Sequence, residues 1–353
     1  MSHELFREGG PYRVRKTGHD SYEMSISIPP GPDGMLAREC PRQDCSPAYF
    51  RVRPGTGITD SQIQAFCPYC RHSAKPSEFF TKAQVEYAKD TVSDEVTGAV
   101  EGMIRDALDL GPSGRKKIDG GLFSMEISFN PDRRTPPSRP IEEELRRDLT
   151  CPGCGLEHAV FGLATWCPDC GADLFLEHVR KEFEVVGKIL AAIPDRRTAL
   201  GARVAARDAE NALEDTVSIF ETVLKIMTSR HLLAKGQSHQ EAVQIFYKTV
   251  RNTYQNVGSA SQTFKELLGA ELFQGFDDAE RQELDSVFAM RHPIAHNLGI
   301  VDRRYLDRVR SGELEGREIS ANPGRIERTM KLAQRVLEQA YARVFAPAAT
   351  PGS

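Results

Sequence analysis

Eight cysteines fall into two sets of four, and each set consists of two close pairs. Cys40 and Cys45 are followed by Cys67 and Cys70, and Cys151 and Cys154 are followed by Cys167 and Cys170. Two short-spaced pairs on two turns bring four thiolates to about 2.3 Å around a tetrahedral zinc ion. The turn residues agree with that use. Cys151-Pro-Gly-Cys154-Gly155 and Cys167-Pro-Asp-Cys170-Gly171 place a glycine just after the second ligand, where a tight knuckle lets backbone N–H groups point at sulfur. Cys67-Pro-Tyr-Cys70 follows the same plan, and Cys40-Pro-Arg-Gln-Asp-Cys45 is a looser version of it. Disulfides and redox pairs use the same residue type. Disulfides need an oxidising compartment, which the polar stretch Met1–Gly10 does not announce, and redox motifs do not come as four pairs in two sets. The expectation is two structural zinc ions in closed four-thiolate sites, with no coordination position left for water. His72 and His158 lie close to ligand cysteines and read as surface residues.

A second group of reactive residues lies far downstream, in Phe288-Ala-Met-Arg-His-Pro-Ile-Ala-His-Asn297 followed by Gly299-Ile-Val-Asp302. Arg291 and His296 are five apart, about 140° around an ideal helix axis. Pro293 between them removes a backbone donor and crowds the carbonyl four residues back, which bends or breaks a helix. Arginine holds a phosphate by two parallel hydrogen bonds, and histidine moves a proton near neutral pH. Together they suit attack of a ribose 2′-hydroxyl on its neighbouring phosphate without a metal. One copy is sparse for this work, whereas two copies joined by a two-fold axis supply an acid, a base and two phosphate clamps. The structural alternative is a polar cluster that caps carbonyls at a helix end.

The 353 residues suffice for two or three domains. With 40% hydrophobic and 27% charged residues and a net charge of -4, the overall balance announces neither a nucleic-acid nor a membrane partner. No apolar run is long enough to cross a bilayer, and the expected location is the cytoplasm. Tyr22–Ile28 alternates like a strand before the first cysteine set, and Ser124–Phe129 does so before the second, which suggests a strand-plus-ribbon unit that occurs twice. Thr81–Leu110 reads as a helix, and Asn130–Pro140 as an exposed linker. Beyond Asp173 the period becomes helical. Helices are expected over Phe175–Ala192, stopped by Pro194, then over Arg203–Lys235 and over Ser238–Val257 with Val243, Phe246, Val250 and Tyr254 inward. A further helix is capped by Asp277 or Asp278, and a last one starts at Asn322-Pro323 and runs to Phe345. The fold class is therefore multidomain, two small β-rich zinc ribbons followed by an all-α bundle. The divisions are a first ribbon over 1–90, a helical connector over 91–118, a strand plus second ribbon over 119–175, the bundle over 176–346 and a disordered tail over 347–353.

The string Arg291-His292-x-x-x-His296-Asn297-x-Gly-Ile-Val-Asp, late in a helical bundle, resembles the R-x4-6-H signature of HEPN domains, over roughly residues 176–346. The resemblance implies a HEPN-like dimeric bundle acting as a metal-independent endoribonuclease that leaves a 2′,3′-cyclic phosphate, common in bacterial toxin and antiviral defence systems. By that resemblance Arg291 is the phosphate ligand and His296 the general acid or base. His292 and Asn297 are supporting groups, and Glu221 is the candidate acid on an earlier helix; otherwise Glu221 is a solvated helix residue. Expected partners are an RNA substrate, a second copy of the chain, and a regulatory protein or nucleic-acid trigger met by the ribbons. Two other functions fit the same residues. One is a non-catalytic HEPN adaptor that binds RNA or a nucleotide; the other is a zinc-ribbon nucleic-acid-binding regulator dimerised by the bundle. For the latter, Arg51, Arg53, Arg133, Arg134, Arg146 and Arg147 form short basic clusters near the ribbons.

Overall fold

The computed structural model describes residues 9, 12–18, 21–60, 62–108, 116–120, 123–127, 145–309 and 312–345. The chain divides into two compact units, Met1–Phe175 and Leu176–Ser353. Among the described residues no helix is long and apolar enough to cross a membrane.

In the first unit, β1 (Arg15–Lys16) pairs with β2 (Tyr22–Glu23). The expected strand through Ile28 stops after two residues because its partner is no longer than that; beyond it, Ser25 donates one further N–H bond to the Tyr12 carbonyl. The centre of the unit is a four-stranded antiparallel sheet in the order β3 (Leu36–Glu39), β4 (Tyr49–Val52), β10 (Glu157–Val160), β9 (Arg147–Thr150). Between these strands in sequence lie β5 (Ala65–Phe66) paired with β6 (Ser73–Ala74), the helix α1 (Lys82–Leu108), and β7 (Lys116–Gly120) paired with β8 (Phe123–Ile127). The division into a ribbon at 1–90, a connector at 91–118 and a ribbon at 119–175 therefore gives way to a single sheet built from both. Each cysteine set alone contributes two short strands, too few to cover a core.

The two ribbons meet about an approximate two-fold axis. In the β4–β10 pair, Phe50 lies opposite Val160, Arg51 opposite Ala159 and Val52 opposite His158. Phe50 and His158 hold equivalent places in the two ribbons, as do Val52 and Val160, so the register maps onto itself through the Arg51–Ala159 pair. The second knuckles repeat the exchange. Phe66 donates its N–H to the Pro168 carbonyl at 2.7 Å, and Trp166 donates to the Pro68 carbonyl at 3.1 Å. The Phe66–Ser73 pair of one ribbon recurs as the Trp166–Asp173 bridge of the other.

One face of the sheet is apolar, with Phe50, Leu149 and Val160 buried together with Cys40, Cys67 and Phe79. Phe50 and Phe79 meet edge to face at 6.0 Å. The other face carries Arg51, whose guanidinium donates to Asp33 at 2.6 Å, while Arg146 donates to the same carboxylate oxygen at 3.0 Å. The Arg51 side chain is 7% exposed and those of Asp33 and Arg146 are each 15% exposed. One carboxylate thus bridges two largely buried cations, of which Arg146 also meets Asp148. Asp33→Ala is expected to lower stability by about 3–5 kcal/mol, the cost of stranding buried charge, and Asp33→Asn by less, since an acceptor oxygen remains. The midpoint of thermal unfolding followed by circular dichroism checks the order.

The helix α2 (Phe175–Leu200) does not stop before Pro194. Its buried residues Leu190 and Ile193 hold the turn around the proline in place, and the helix ends only at Gly201, which has φ +94°. In the second unit α3 (Ala202–Ala234) buries Ala209, Leu213, Val217, Phe220, Leu224 and Met227 at helical spacing. It packs on α9 (Pro323–Phe345), which buries Ile326, Met330, Ala333, Leu337 and Tyr341, and which Asn322 caps by accepting from the Arg325 N–H at 2.9 Å.

The helix expected over Ser238–Val257 is broken into pieces. The order is α4 (His239–Ile245), a π-turn over Phe246–Val250, Arg251 at φ +41°, a 3-10 turn over Thr253–Gln255, and then α5 (Val257–Leu268). The Asn256 side chain caps α5 by accepting from the Ser259 N–H at 3.0 Å, and a capping residue must leave helical geometry. Val250 and Tyr254 point inward as expected, but Val243 is exposed. The Tyr254 hydroxyl meets that of Thr228 on α3 at 2.6 Å. A capping box of Asp277 and Glu280 opens α6 (Asp278–Ala289), which is followed by α7 (Arg291–His296) and α8 (Arg303–Arg308). The expected linker over 130–140 and the tail over 347–353 lie outside the described residues.

Candidate functional site

The eight cysteines form two clusters of free thiols, Cys40, Cys45, Cys67 and Cys70 in one and Cys151, Cys154, Cys167 and Cys170 in the other. Within each cluster all sulfurs lie within 4.8 Å of one another. The shortest separations are 3.7 Å for Cys40–Cys70, 3.6 Å for Cys45–Cys67, 3.7 Å for Cys151–Cys170 and 3.6 Å for Cys154–Cys167. A tetrahedron with metal–sulfur arms of about 2.3 Å has edges of about 3.8 Å, whereas a disulfide needs about 2.05 Å. The spacing suits four thiolates around one metal ion.

Three of the four knuckles share one backbone form. Arg71 donates to the Cys67 carbonyl at 3.1 Å, Gly155 to that of Cys151 at 2.8 Å and Gly171 to that of Cys167 at 3.0 Å. These three residues stand in the left-handed region, with φ of +60°, +76° and +65°. Cys40 and Cys45 stand further apart in sequence and use a different loop, in which Cys40 N–H donates to the Ala48 carbonyl. At Gly171 a side chain would meet the Phe66 ring at 3.1 Å, while at Gly155 nothing lies within 4 Å. Arg71 bears the side chain that Gly171 lacks, and its guanidinium lies 4.2 Å from the centroid of the Trp166 ring.

Burial pushes the Cys154 thiol up to about 11 and the Cys45 thiol up to about 12. Burial also opposes ionisation of Cys70 and Cys151, but N–H groups from His72, and from Cys154 and Gly153, together with neighbouring thiols, outweigh it and hold both below the ordinary thiol value. Cys70 and Cys151 thus ionise more readily than Cys45 and Cys154, whose ionisation a cation in the cluster would favour. His158 is not a surface residue: it is fully buried on β10, at the centre of the sheet. Gly171→Ala is expected to cost at least about 1 kcal/mol more than Gly155→Ala, because the left-handed strain common to both is joined by contact with the ring. Thermal unfolding of the two variants, followed by fluorescence of the single tryptophan Trp166, checks the difference.

The basic clusters near the ribbons are largely occupied by internal pairs. Arg51 and Arg146 share Asp33, Arg146 also reaches Asp148 at 2.9 Å, and Arg53 pairs with Glu157 at 2.6 Å. Arg147 donates to the Leu145 carbonyl at 3.0 Å. Arg133 and Arg134 lie outside the described residues.

The second group lies at the break between α6 and α7. Pro293 offers no N–H to the Ala289 carbonyl, so the helix tightens at Met290, whose N–H turns to the Val287 carbonyl at 3.1 Å. α7 ends where Asn297 and Gly299 both donate to the Pro293 carbonyl, with Leu298 between them at φ +53° and 77% exposed. Arg291 and His296 are the first and last residues of this short helix, with no hydrogen bond between them.

Arg291 donates from Nη1 to Gln255 Oε1 at 2.8 Å, and Gln255 Nε2 donates to Glu221 Oε2 at 2.8 Å. The other Glu221 oxygen accepts from Lys225 Nζ at 2.6 Å. Glu221 is thus mostly buried, at 12% exposure, and linked to Arg291 through an amide rather than solvated. Gln255 is the residue that sequence reasoning missed. The turn formers Asn252 and Asn256 on either side of it were the available signal for a broken helix.

His292 and His296 have ring centroids 5.1 Å apart, tilted by 56°. His292 Nε2 lies 3.8 Å from Asp302 Oδ2, to which Asn297 donates at 2.7 Å. Asp302 Oδ1 accepts the Tyr305 N–H at 2.8 Å and so caps α8. Asn297 therefore holds Asp302, a residue that sequence reasoning gave no role. Burial holds His292 below the ordinary imidazole value, and Arg304 adds to the effect against the pull of Asp302. The Tyr305 N–H bond, with the Asn297 amide, holds Asp302 below the usual carboxylate range. His296 is exposed.

No known family model, curated protein or solved structure gives a significant match to this chain.

The His292 ring proton is expected to titrate by NMR with a midpoint below 6.5, the ordinary value. Because the Asp302 carboxylate favours the imidazolium, Asp302→Ala should move that midpoint further down. A midpoint that rises or stays fixed on the substitution contradicts the assignment.

Proposed function

We propose that the second unit is a metal-independent endoribonuclease of the HEPN type, active as a homodimer, and that the cysteine clusters of the first unit hold two structural zinc ions. The observation that carries this reading is a guanidinium aimed by a neutral amide beside two touching imidazoles. One of those imidazoles, His292, is held below its ordinary pKa by burial.

In the proposed reaction Arg291 binds the scissile phosphodiester and stabilises charge as it builds on the non-bridging oxygens. One imidazole takes the proton of the ribose 2′-hydroxyl, the 2′-oxygen bonds to phosphorus, and the bond to the 5′-oxygen breaks. An imidazolium returns a proton to that leaving oxygen. The products are a 2′,3′-cyclic phosphate and a 5′-hydroxyl. RNA is the substrate because the nucleophile is its own 2′-hydroxyl. His296, exposed at the end of α7, suits a site completed by a second copy, which would add another Arg291 and another pair of histidines. Arg291 and His296 are the acting groups; His292 serves as the second imidazole, Asn297 acts through Asp302, and Glu221 acts through Gln255.

The thiolate donors and the tetrahedral spacing favour zinc in both clusters, closed and structural. The ribbons then serve recognition or regulation. The internal pairing of Arg51, Arg53 and Arg146 weakens the alternative in which they are the main nucleic-acid binders. With the HEPN resemblance, the reading points to a bacterial defence or toxin effector.

Purified protein should cut single-stranded RNA in a mild chelator that leaves the fold intact, and His296→Ala should slow this by about 10²–10⁴-fold. Elemental analysis should find two zinc ions per chain. Cleavage that needs added magnesium, or that survives His296→Ala unchanged, sinks the catalytic reading.

A further inference from the structure

The segment between α4 and α5 violates the helical pattern of its own sequence, and the violation serves Arg291. The π-turn, the left-handed Arg251 and the 3-10 turn bring two neighbouring side chains onto α3. Tyr254 is fully buried and anchors the turn through Thr228, while Gln255 lies between Glu221 and Arg291. Irregular backbone of this kind, over-determined by its surroundings, is where proteins store functional geometry.

The chemistry of the intervening group is specific. A carboxylate bonded directly to Arg291 would orient it but also neutralise it and compete with an incoming anion. The Glu221 charge is instead met by Lys225 and by the Gln255 N–H, so the amide passes on orientation and withholds charge. Among the described residues Arg291 has no carboxylate within ion-pair distance, and its Nε is buried without a hydrogen-bond partner. A guanidinium with no carboxylate partner attracts an oxyanion to those of its N–H groups that solvent can reach.

We propose that Gln255 is the positioning residue of Arg291: its amide fixes the guanidinium between α3 and α7 without placing a counter-charge on it, so that the group can meet a phosphodiester. This rests on the ribonuclease reading for its consequence in catalysis, but the positioning can be measured without any cleavage. The probe is an oligodeoxythymidine of about ten nucleotides, which has the phosphodiester backbone and lacks the 2′-hydroxyl that the reaction consumes.

The readout is the Arg291 Nε–H signal in nitrogen-15 NMR, assigned by its loss in Arg291→Lys. In the wild type this signal should shift as the oligonucleotide is added. Gln255→Met should move the signal in the free protein and weaken binding by a few-fold, about 2–5, through lost orientation. Gln255→Glu keeps the length and an acceptor oxygen but adds charge, and should weaken binding by at least about tenfold. Two variants of opposite polarity guard against a fold defect, and unchanged dispersion of the remaining arginine signals shows that the unit is intact. An Arg291 signal untouched by both substitutions, or a Gln255→Glu protein that binds like the wild type, overturns the assignment even if the wild type cuts RNA. If the signal responds to Gln255 and to the oligonucleotide while the wild type cuts no RNA, the positioning role is supported and the ribonuclease reading falls alone.

Discussion

Four thiols held within 4.8 Å of one another can ionise together only if something meets their charge, and this constraint governs the first unit. Its strands are two to five residues long, and its buried clusters contain the cysteines themselves, Cys40 and Cys67 in one and Cys151 and Cys167 in the other. So little apolar surface stabilises so many loops only when something else ties them, and the spacing of each four-cysteine cluster suits a cation in that place. The sheet then joins the two clusters. β4 and β10 sit side by side at its centre, and each knuckle holds a backbone bond to the proline carbonyl of the other. The two four-cysteine modules share one sheet, with neither ribbon complete by itself.

The second unit shows the opposite arrangement, a half-buried arginine, Arg291, with no carboxylate partner among the described residues. A buried arginine ordinarily draws a carboxylate, as Arg51 and Arg146 draw Asp33. Arg291 is treated differently. Glu221 pairs with Lys225, and the Gln255 amide lies between Glu221 and Arg291. The break at Met290, the cap at Asp302 and the irregular turn before α5 all serve to bring short-range polar partners to α7.

What could be read from the sequence follows from how far each interaction reaches along the chain. Ligand chemistry writes itself into local spacing, so both cysteine sets and the glycines at 155 and 171 were legible, as were the caps at Asp277 and Asn322. The shared sheet was not, because its central pairing joins residues more than a hundred positions apart, and alternation in four-residue strands carries no record of the partner. Pro194 and Arg251 show the same limit from two sides. A proline predicted to end α2 is carried through by buried neighbours, while an arginine with no breaking tendency marks the point where the next helix fails. In the candidate site Arg291, His292, His296, Asn297 and Glu221 could be picked from the sequence. Gln255 and Asp302, which hydrogen-bond to Arg291 and Asn297, could not, since such pairings exist only in three dimensions.

The approximate two-fold axis through Arg51 and Ala159 has a further meaning. Two identical subunits about such an axis are bound to offer the same surface twice, because every substitution appears on both sides. When both halves belong to one polypeptide that bond is cut, and each side is free to drift. The drift is visible where Arg71 lies on Trp166 in one half and a bare Gly171 lies under Phe66 in the other. A dimer-like frame has thereby become a scaffold with a left hand and a right hand, whose two sides need not match.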